Sequence, residues 1–221
     1  MEQANGAGPS RPETQSRAPN DGRPIVAFDF DGTLTVRDSF TAFLRWRADP
    51  VRYAFGMAKL GFAALRYVID KDRGRIKAAA AREFLHGLTR TQLEAETRAF
   101  AESQAAGLLR PDAVATWNDW RSRGAFIVIV TASPSVVVRP FAERLGADDL
   151  IGTELAYDSQ DRVIGAFATP NCRGAEKVVR LQDRFGPELR LAAAYGDTGG
   201  DREMLAIADS PGYRVFTARP G

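Results

Sequence analysis

The chain has 221 residues, 44% hydrophobic and 26% charged, the profile of an ordinary soluble globular protein with one sizeable core or a core carrying an insert. A formal net charge of only +2 implies no nucleic acid or other large polyanion as partner. A single cysteine, Cys172, excludes an internal disulfide and fits a reducing, cytoplasmic compartment, and a single histidine, His86, excludes a multi-histidine metal site.

Residues 1–23 are rich in Gly, Pro, Ser and charge and lack the apolar stretch of a secretory signal, so they read as a flexible tail. Ile25 to Phe30 is a short apolar run ending in Asp-Gly, which predicts a buried strand and a turn. From Asp38 to Gly107 the signals are helical, as in IKAAAAREFLHGL and TQLEAETRAFAES. Pro111 and Asp112 start a helix carrying Trp117 and Trp120. AFIVIV, Ala125 to Val130, predicts a strand buried on both faces of a parallel sheet, followed by TASPS and a helix over 134–145. Residues 154–168, with YDSQDR in the middle, read as a hairpin. A helix over 174–185, a strand over 191–195, a short helix over 202–208 and a last strand over 213–216 complete the chain. Strand and helix alternate, which predicts a parallel α/β core from 24–36 and 112–221, interrupted by an all-helical lid over 37–111.

Three predicted strand ends carry polar residues: Asp29 and Asp31, Thr131 and Ser133, and Asp197 with Asp201. In open α/β sheets, sites lie at the carboxyl ends of strands. Asp29 and Asp31, one residue apart, would share a strand face, which is costly unless a cation sits between them. Four carboxylates from two strand ends suit magnesium, which takes a few carboxylates, waters and a substrate phosphate. One carboxylate is then free to attack phosphorus and form an aspartyl-phosphate. The second, two residues on, can protonate the leaving oxygen and later deprotonate water. Thr131, the amide of Ala132 and a lysine, Lys177 being the best placed, would donate to the phosphoryl oxygens.

FDFDGTLT at 28–35 resembles the first motif, D-x-D-G-T, of the haloacid dehalogenase-like superfamily. TAS at 131–133 is similar to its second motif, Lys177 to its third and GDTGGD at 196–201 to its fourth. The resemblance implies a Rossmann-like core with a type I helical cap. It implies Asp29 as nucleophile, Asp31 as general acid/base, and Thr131 and Lys177 as phosphate holders. It further implies a magnesium site from Asp29, the Asp31 carbonyl and Asp197, supported by Asp201 and Thr33. Dehalogenation needs no acid two residues after the nucleophile, so Asp31 points to phosphate monoesters.

Asp38, nine residues after Asp29, is the candidate substrate contact, because phosphoserine phosphatases place an acidic residue near there. They also use a cap arginine; Ala78 falls near that position, with Arg75 and Arg82 out of phase, which counts against phosphoserine. Residues 51–69, VRYAFGMAKLGFAALRYVI, are apolar apart from Arg52, Lys59 and Arg66 at heptad spacing. Two readings stand: a helix lying on an anionic inner-membrane surface, or a cap-core helix with a solvated basic stripe. DSFTAFLR, this helix and NCRGAEKVVRL together resemble subfamily IB hydrolases of the phosphatidylglycerophosphatase C type, which implies a lipid-linked phosphate as substrate. A phosphoserine-type phosphatase, a phosphotransferase and a membrane-associated regulatory module with little turnover are the competing functions. Taken singly, each motif also has a plain reading: Asp-Gly as a turn, TAS as a helix cap, Lys177 as a surface lysine, Asn171 and Arg173 as loop residues.

Overall fold

The computed structural model describes residues 22–70 and 73–221, with the side chains of 62–70 and 73 outside that description. The expected tail over 1–23 thus lies almost wholly outside the described residues. The apolar run Ile25–Phe28 forms β1. The chain then makes a tight turn over Phe30–Leu34 and enters α1 (Ser39–Arg47), α2 (Pro50–Asp70), α3 (Arg73–Leu85) and α4 (Arg90–Leu108). It returns through α5 (Pro111–Ser122), β2 (Phe126–Pro134), α6 (Ser135–Leu145) and β3 (Asp149–Thr153). A hairpin of β4 (Leu155–Tyr157) and β5 (Val163–Phe167) follows, then α7 (Ala175–Phe185), β6 (Leu191–Gly196), α8 (Arg202–Ala206) and β7 (Ala208–Tyr213).

The strands β3-β2-β1-β6-β7 form one parallel sheet in that order. Strand alternation sorts their side chains into two layers. Val26, Phe28, Ile127 and Ile129 pack with Trp117 of α5 and Phe141 of α6. Ala27, Val128, Val130 and Ala194 face the other way, onto Leu181 of α7 and Met204 of α8. Phe28 sits between Tyr195 and Trp117, with ring centroids 4.6 Å and 5.1 Å away. The first layer runs without a break into the helical insert, where Phe100 of α4 meets Phe141 at 5.8 Å and Phe43 of α1 at 5.5 Å.

The insert is tied down at its neck and at its side. At the neck, Val36 N–H donates to Leu108 O and Arg110 N–H to Leu34 O, both at 2.9 Å. At the side, the β4–β5 hairpin leaves the sheet and packs on α3. Gly87 N–H donates to Val163 O, Val163 N–H to Leu88 O and Arg90 N–H to Asp161 O, each at 2.9 Å. Gly165 lets β5 approach: its φ is +73°, and a Cβ there would lie 2.4 Å from Arg82 Cα.

Two stretches depart from the sequence expectation. DLIGT forms β3, an edge strand too short and too polar at its start to stand out. The last strand is β7, at 208–213 rather than 213–216. The run Asp209-Ser210-Pro211-Gly212 has turn composition, but on an edge strand proline need not supply a ladder donor.

On α2, Val51 and Phe55 are 64% and 67% exposed and Met57 is 42% exposed. Arg52 and Lys59 do not form a free basic stripe: both reach Glu83 of α3, at 2.6 Å and 3.3 Å. The Arg66 side chain lies outside the described residues. Among the described residues, no helix is long and apolar enough to cross a membrane.

Asp112 shows how the C-terminal segment is held. Its Oδ2 accepts the Thr217 and Ala218 amides at 2.7 Å and 2.9 Å, and its Oδ1 the Ala113 amide at 3.0 Å. Burial opposes the charge, but these amides outweigh it and hold the carboxyl below its ordinary range. A depressed folded-state value means stability present above the unfolded carboxylate range and lost as pH falls through the folded one. Asp112→Ala should cost about 1–2 kcal/mol near neutrality. The gap to wild type should close in strong acid, read as the difference in denaturation midpoint across pH.

Candidate active site

Asp29 is the residue after β1, held in extended backbone by its N–H to Tyr195 O at 2.9 Å. The turn that follows carries Asp31, Gly32 and Thr33 over the carboxyl edge of the sheet. Asp197 and Asp201 arrive from the end of β6, Ala132 from the end of β2 and Lys177 from the first turn of α7. Asp29, Asp31, Ala132, Lys177, Asp197 and Asp201 all line one cleft of about 270 Å³, together with Gly32, Asp38, Lys77, Asn171, Arg173 and Thr198.

Lys177 is 1% exposed. Its Nζ donates to Asp29 Oδ1 and to Val130 O, each at 2.6 Å, and to Asp201 Oδ1 at 2.7 Å. Burial works against the ammonium, but the two carboxylates outweigh it and hold Lys177 above its ordinary value. Burial pushes Asp29 up to about 7, with Lys177 pulling the other way. Asp197 is raised by burial and by the nearby Asp201 charge. Asp201 is lowered despite burial, because Lys177 and Thr198 hold both its oxygens: Oδ2 accepts the Thr198 amide and hydroxyl, each at 2.9 Å.

Asp31 faces different partners. Its Oδ1 accepts the Ser39 amide at 2.7 Å, and its Oδ2 accepts the Ser133 hydroxyl in a short hydrogen bond. Its carboxyl is raised, first by burial and then by the Asp38 charge. The two aspartates of one turn thus sit in separate environments, one beside a buried lysine and one held by a helix-start amide and a hydroxyl.

Asp29, Asp197 and Asp201 each offer an oxygen within 4.8 Å of the others. With all three ionised, they would set three negative charges against the one positive charge of Lys177, a surplus equal to the charge of one dication. Lys177 and Thr198 engage both Asp201 oxygens, so Asp29 Oδ2 and the Asp197 carboxylate are the oxygens that could hold a cation. The Thr33 hydroxyl lies 3.4 Å from Asp29 Oδ2 and 3.5 Å from Asp197 Oδ1. Hard oxygen donors at this charge fit magnesium. Gly32 is required for the arrangement: its φ is +87°, and a Cβ would lie 2.3 Å from Asp197 Oδ2.

Thr131 is fully buried, and its hydroxyl accepts the Ser133 amide at 3.0 Å; Ala132, not Thr131, lines the cleft. Asp38 caps α1 through the Thr41 amide at 2.7 Å. Lys77 of α3 was not singled out by the sequence, which pointed to Ala78, Arg75 and Arg82. A lysine in an alanine-rich helix carries no local signal; only the placement of α3 by the hairpin brings it into the cleft. Asn171 and Arg173 also line it, and Arg173 Nη1 donates to the Thr198 hydroxyl at 3.3 Å. Cys172 is buried behind them, its thiol pushed up to about 11 by burial, so it offers no nucleophile. His86 is exposed just beyond α3.

A parallel sheet with an aspartate-rich cleft at its carboxyl edge and a helical insert after the first strand defines a hydrolase of the haloacid dehalogenase type. The chain belongs to the haloacid dehalogenase-like hydrolase family, whose model matches residues 26–206. It is 59% identical over 196 residues to Protein CicA of Caulobacter vibrioides (strain NA1000 / CB15N), covering 89% of this chain and 88% of that one. A Bordetella pertussis Tohama I protein of unknown function shares the fold at a TM-score of 0.71 and 23% identity, over 86% of this chain and 88% of that one. A structure described as a phospho-aspartyl intermediate analogue of phosphoserine phosphatase shares it at 0.54 and 18%, over 86% and 85%. A probable phosphoserine phosphatase from Vibrio cholerae shares it at 0.60 and 14%, over 86% of this chain and 55% of that one.

Proposed function

We propose that the protein is a magnesium-dependent phosphomonoester hydrolase that works through an aspartyl-phosphate on Asp29. The observation that carries this reading is the split between the two aspartates of the turn. Burial raises both, but Asp29 lies against Lys177 and the acidic cluster, whereas Asp31 is held by the Ser39 amide and the Ser133 hydroxyl. Two carboxyls in contrasting environments divide into nucleophile and acid.

Asp29 Oδ2 attacks phosphorus as the bond to the leaving oxygen breaks, and Asp31 gives its proton to that oxygen. Asp31 then takes a proton from water as the water oxygen attacks phosphorus, and the bond to Asp29 breaks to release phosphate. Lys177, whose hydrogens go to Asp29, Asp201 and Val130, would bring positive charge to the phosphoryl group. The Ala132 amide would donate to the phosphoryl oxygens, with Thr131 beneath it accepting the Ser133 N–H. Asp29, the Asp31 carbonyl and Asp197 would hold magnesium, with Asp201 and Thr33 in support. When bound, the ion would favour the ionised form of Asp29 and offset charge on the phosphoryl group. Helices α1–α4, over 37–111, serve as the cap on a core of 24–36 and 112–221.

The testing experiment is phosphate release from a panel of monoesters with magnesium and with EDTA. The panel holds phosphoserine, sugar phosphates, nucleotides, an aryl phosphate and phosphatidylglycerophosphate in mixed micelles. Turnover that EDTA removes and magnesium restores is expected; magnesium-independent turnover, or none on any ester, would sink the reading.

A lipid-linked ester is the reading favoured by α2, where Val51, Phe55 and Met57 stand exposed near the cleft-bearing α3. The cleft itself is lined mainly by charged and polar residues, which suits a phosphorylated headgroup. Co-sedimentation with anionic vesicles should be strong for wild type and weakened several-fold by Phe55→Ser/Met57→Ser. Binding that ignores these changes would leave a small soluble ester as substrate and a cytoplasmic protein without membrane contact.

A further inference from the structure

We propose that Lys77 is a positioning residue, which fixes the direction of the Ser133 hydroxyl and through it the carboxyl of Asp31. The proposal rests on the hydrolase reading above and deepens it. Lys77 Nζ lies 3.1 Å from Ser133 Oγ and 3.4 Å from Asp38 Oδ2. An ammonium has three hydrogens and no acceptor, so Ser133 Oγ can only accept from it. The one hydroxyl hydrogen is thereby left for Asp31 Oδ2.

Ser133 is fully buried, so solvent does not substitute for the lysine as its donor. Asp31 Oδ1 is already set by the Ser39 amide. Two hydrogen bonds from two elements therefore fix the plane of the Asp31 carboxyl, and one of them is directed from α3. The acid is aligned only while α3 stands over the cleft. Lys77 also pairs with Asp38, which caps α1, so one ammonium ties Ser133 to the start of that helix.

The test compares Lys77→Met, Ser133→Ala and the double variant on two esters. An alkyl phosphate needs a proton on its leaving oxygen; a nitrophenyl phosphate leaves without one. Lys77→Met should lower kcat about a hundredfold on the alkyl ester and only several-fold on the aryl ester, with KM little changed. Ser133→Ala should show the same split, and the double variant should be no worse than the worse single. Equal losses on both esters, a change confined to KM, or additive losses would overturn the proposal. If wild type turns over neither ester, the hydrolase reading fails instead. The positioning claim is then decided by a crystal structure of Lys77→Met: Ser133 Oγ turned away from Asp31 supports it, and an unchanged pairing overturns it.

Discussion

Lys177→Met is expected to cost about 3–5 kcal/mol of folding stability and to remove turnover altogether. The side chain is 1% exposed and is the ammonium placed against Asp29 Oδ1, Asp201 Oδ1 and the Val130 carbonyl. Methionine has similar length and is at ease in an interior, so packing is nearly conserved and the loss is electrostatic. What remains is a pair of buried carboxylates facing each other with no compensating charge. Urea denaturation of the two proteins in EDTA reads the difference directly. Adding magnesium should narrow the gap, because a dication among the same carboxylates replaces part of the missing charge. A stability loss below about 1 kcal/mol would show that Asp29 and Asp201 are not held as an ion triad in solution.

Asp29→Asn should leave the fold nearly as stable as wild type while reducing turnover about a thousandfold or more. The amide oxygen can still accept from Lys177, and Lys177 keeps Asp201 as its counter-charge. The volume of the side chain is unchanged and no cavity forms. What disappears is the anionic oxygen that forms the bond to phosphorus. Steady-state phosphate release, together with acid-quench trapping of a phosphorylated protein, measures both sides of the claim. A labelled intermediate is expected with wild type and not with the variant. Turnover within tenfold of wild type would transfer the nucleophile's role to another group.

Most of the core was legible in the sequence because its strands are continuous β-branched runs, as in AFIVIV, and its polar residues fall where those runs stop. The same rule put Asp29, Asp31, Thr131, Ser133, Asp197 and Asp201 at strand ends; of the middle pair's stretch it is Ala132, between them, that lines the cleft, and Lys177 joins from the start of a helix. The edge of the sheet was harder to read. DLIGT and ADSPGY become strands only because β2 and β6 lie ready to pair with them, and neither carries that fact in its own composition. Arg52 and Lys59 illustrate a second limit: their heptad spacing placed them on one solvated face, but did not show that this face also reaches Glu83 of α3. Lys77 and Ser133 mark a third. Each is an ordinary residue for its element, and their contact spans 56 positions. Such a pairing follows from where the hairpin seats α3, not from any local pattern.

That seating has a mechanical consequence. A body joined to another only at a neck can swing about one axis, as a door does on its post. Here the helical insert is joined at the neck between Leu34 and Arg110 and again along β5, well away from that axis. A third point of attachment off the hinge line removes the swing, so α3 cannot lift unless β4 and β5 travel with it. The other helices are seated as well: Phe100 of α4 packs between Phe43 of α1 and Phe141 of α6, and α2 is tied to α3 through Glu83. Lys77 therefore stands over the cleft on a helix held from two sides, by the hairpin beneath it and by α2 against it.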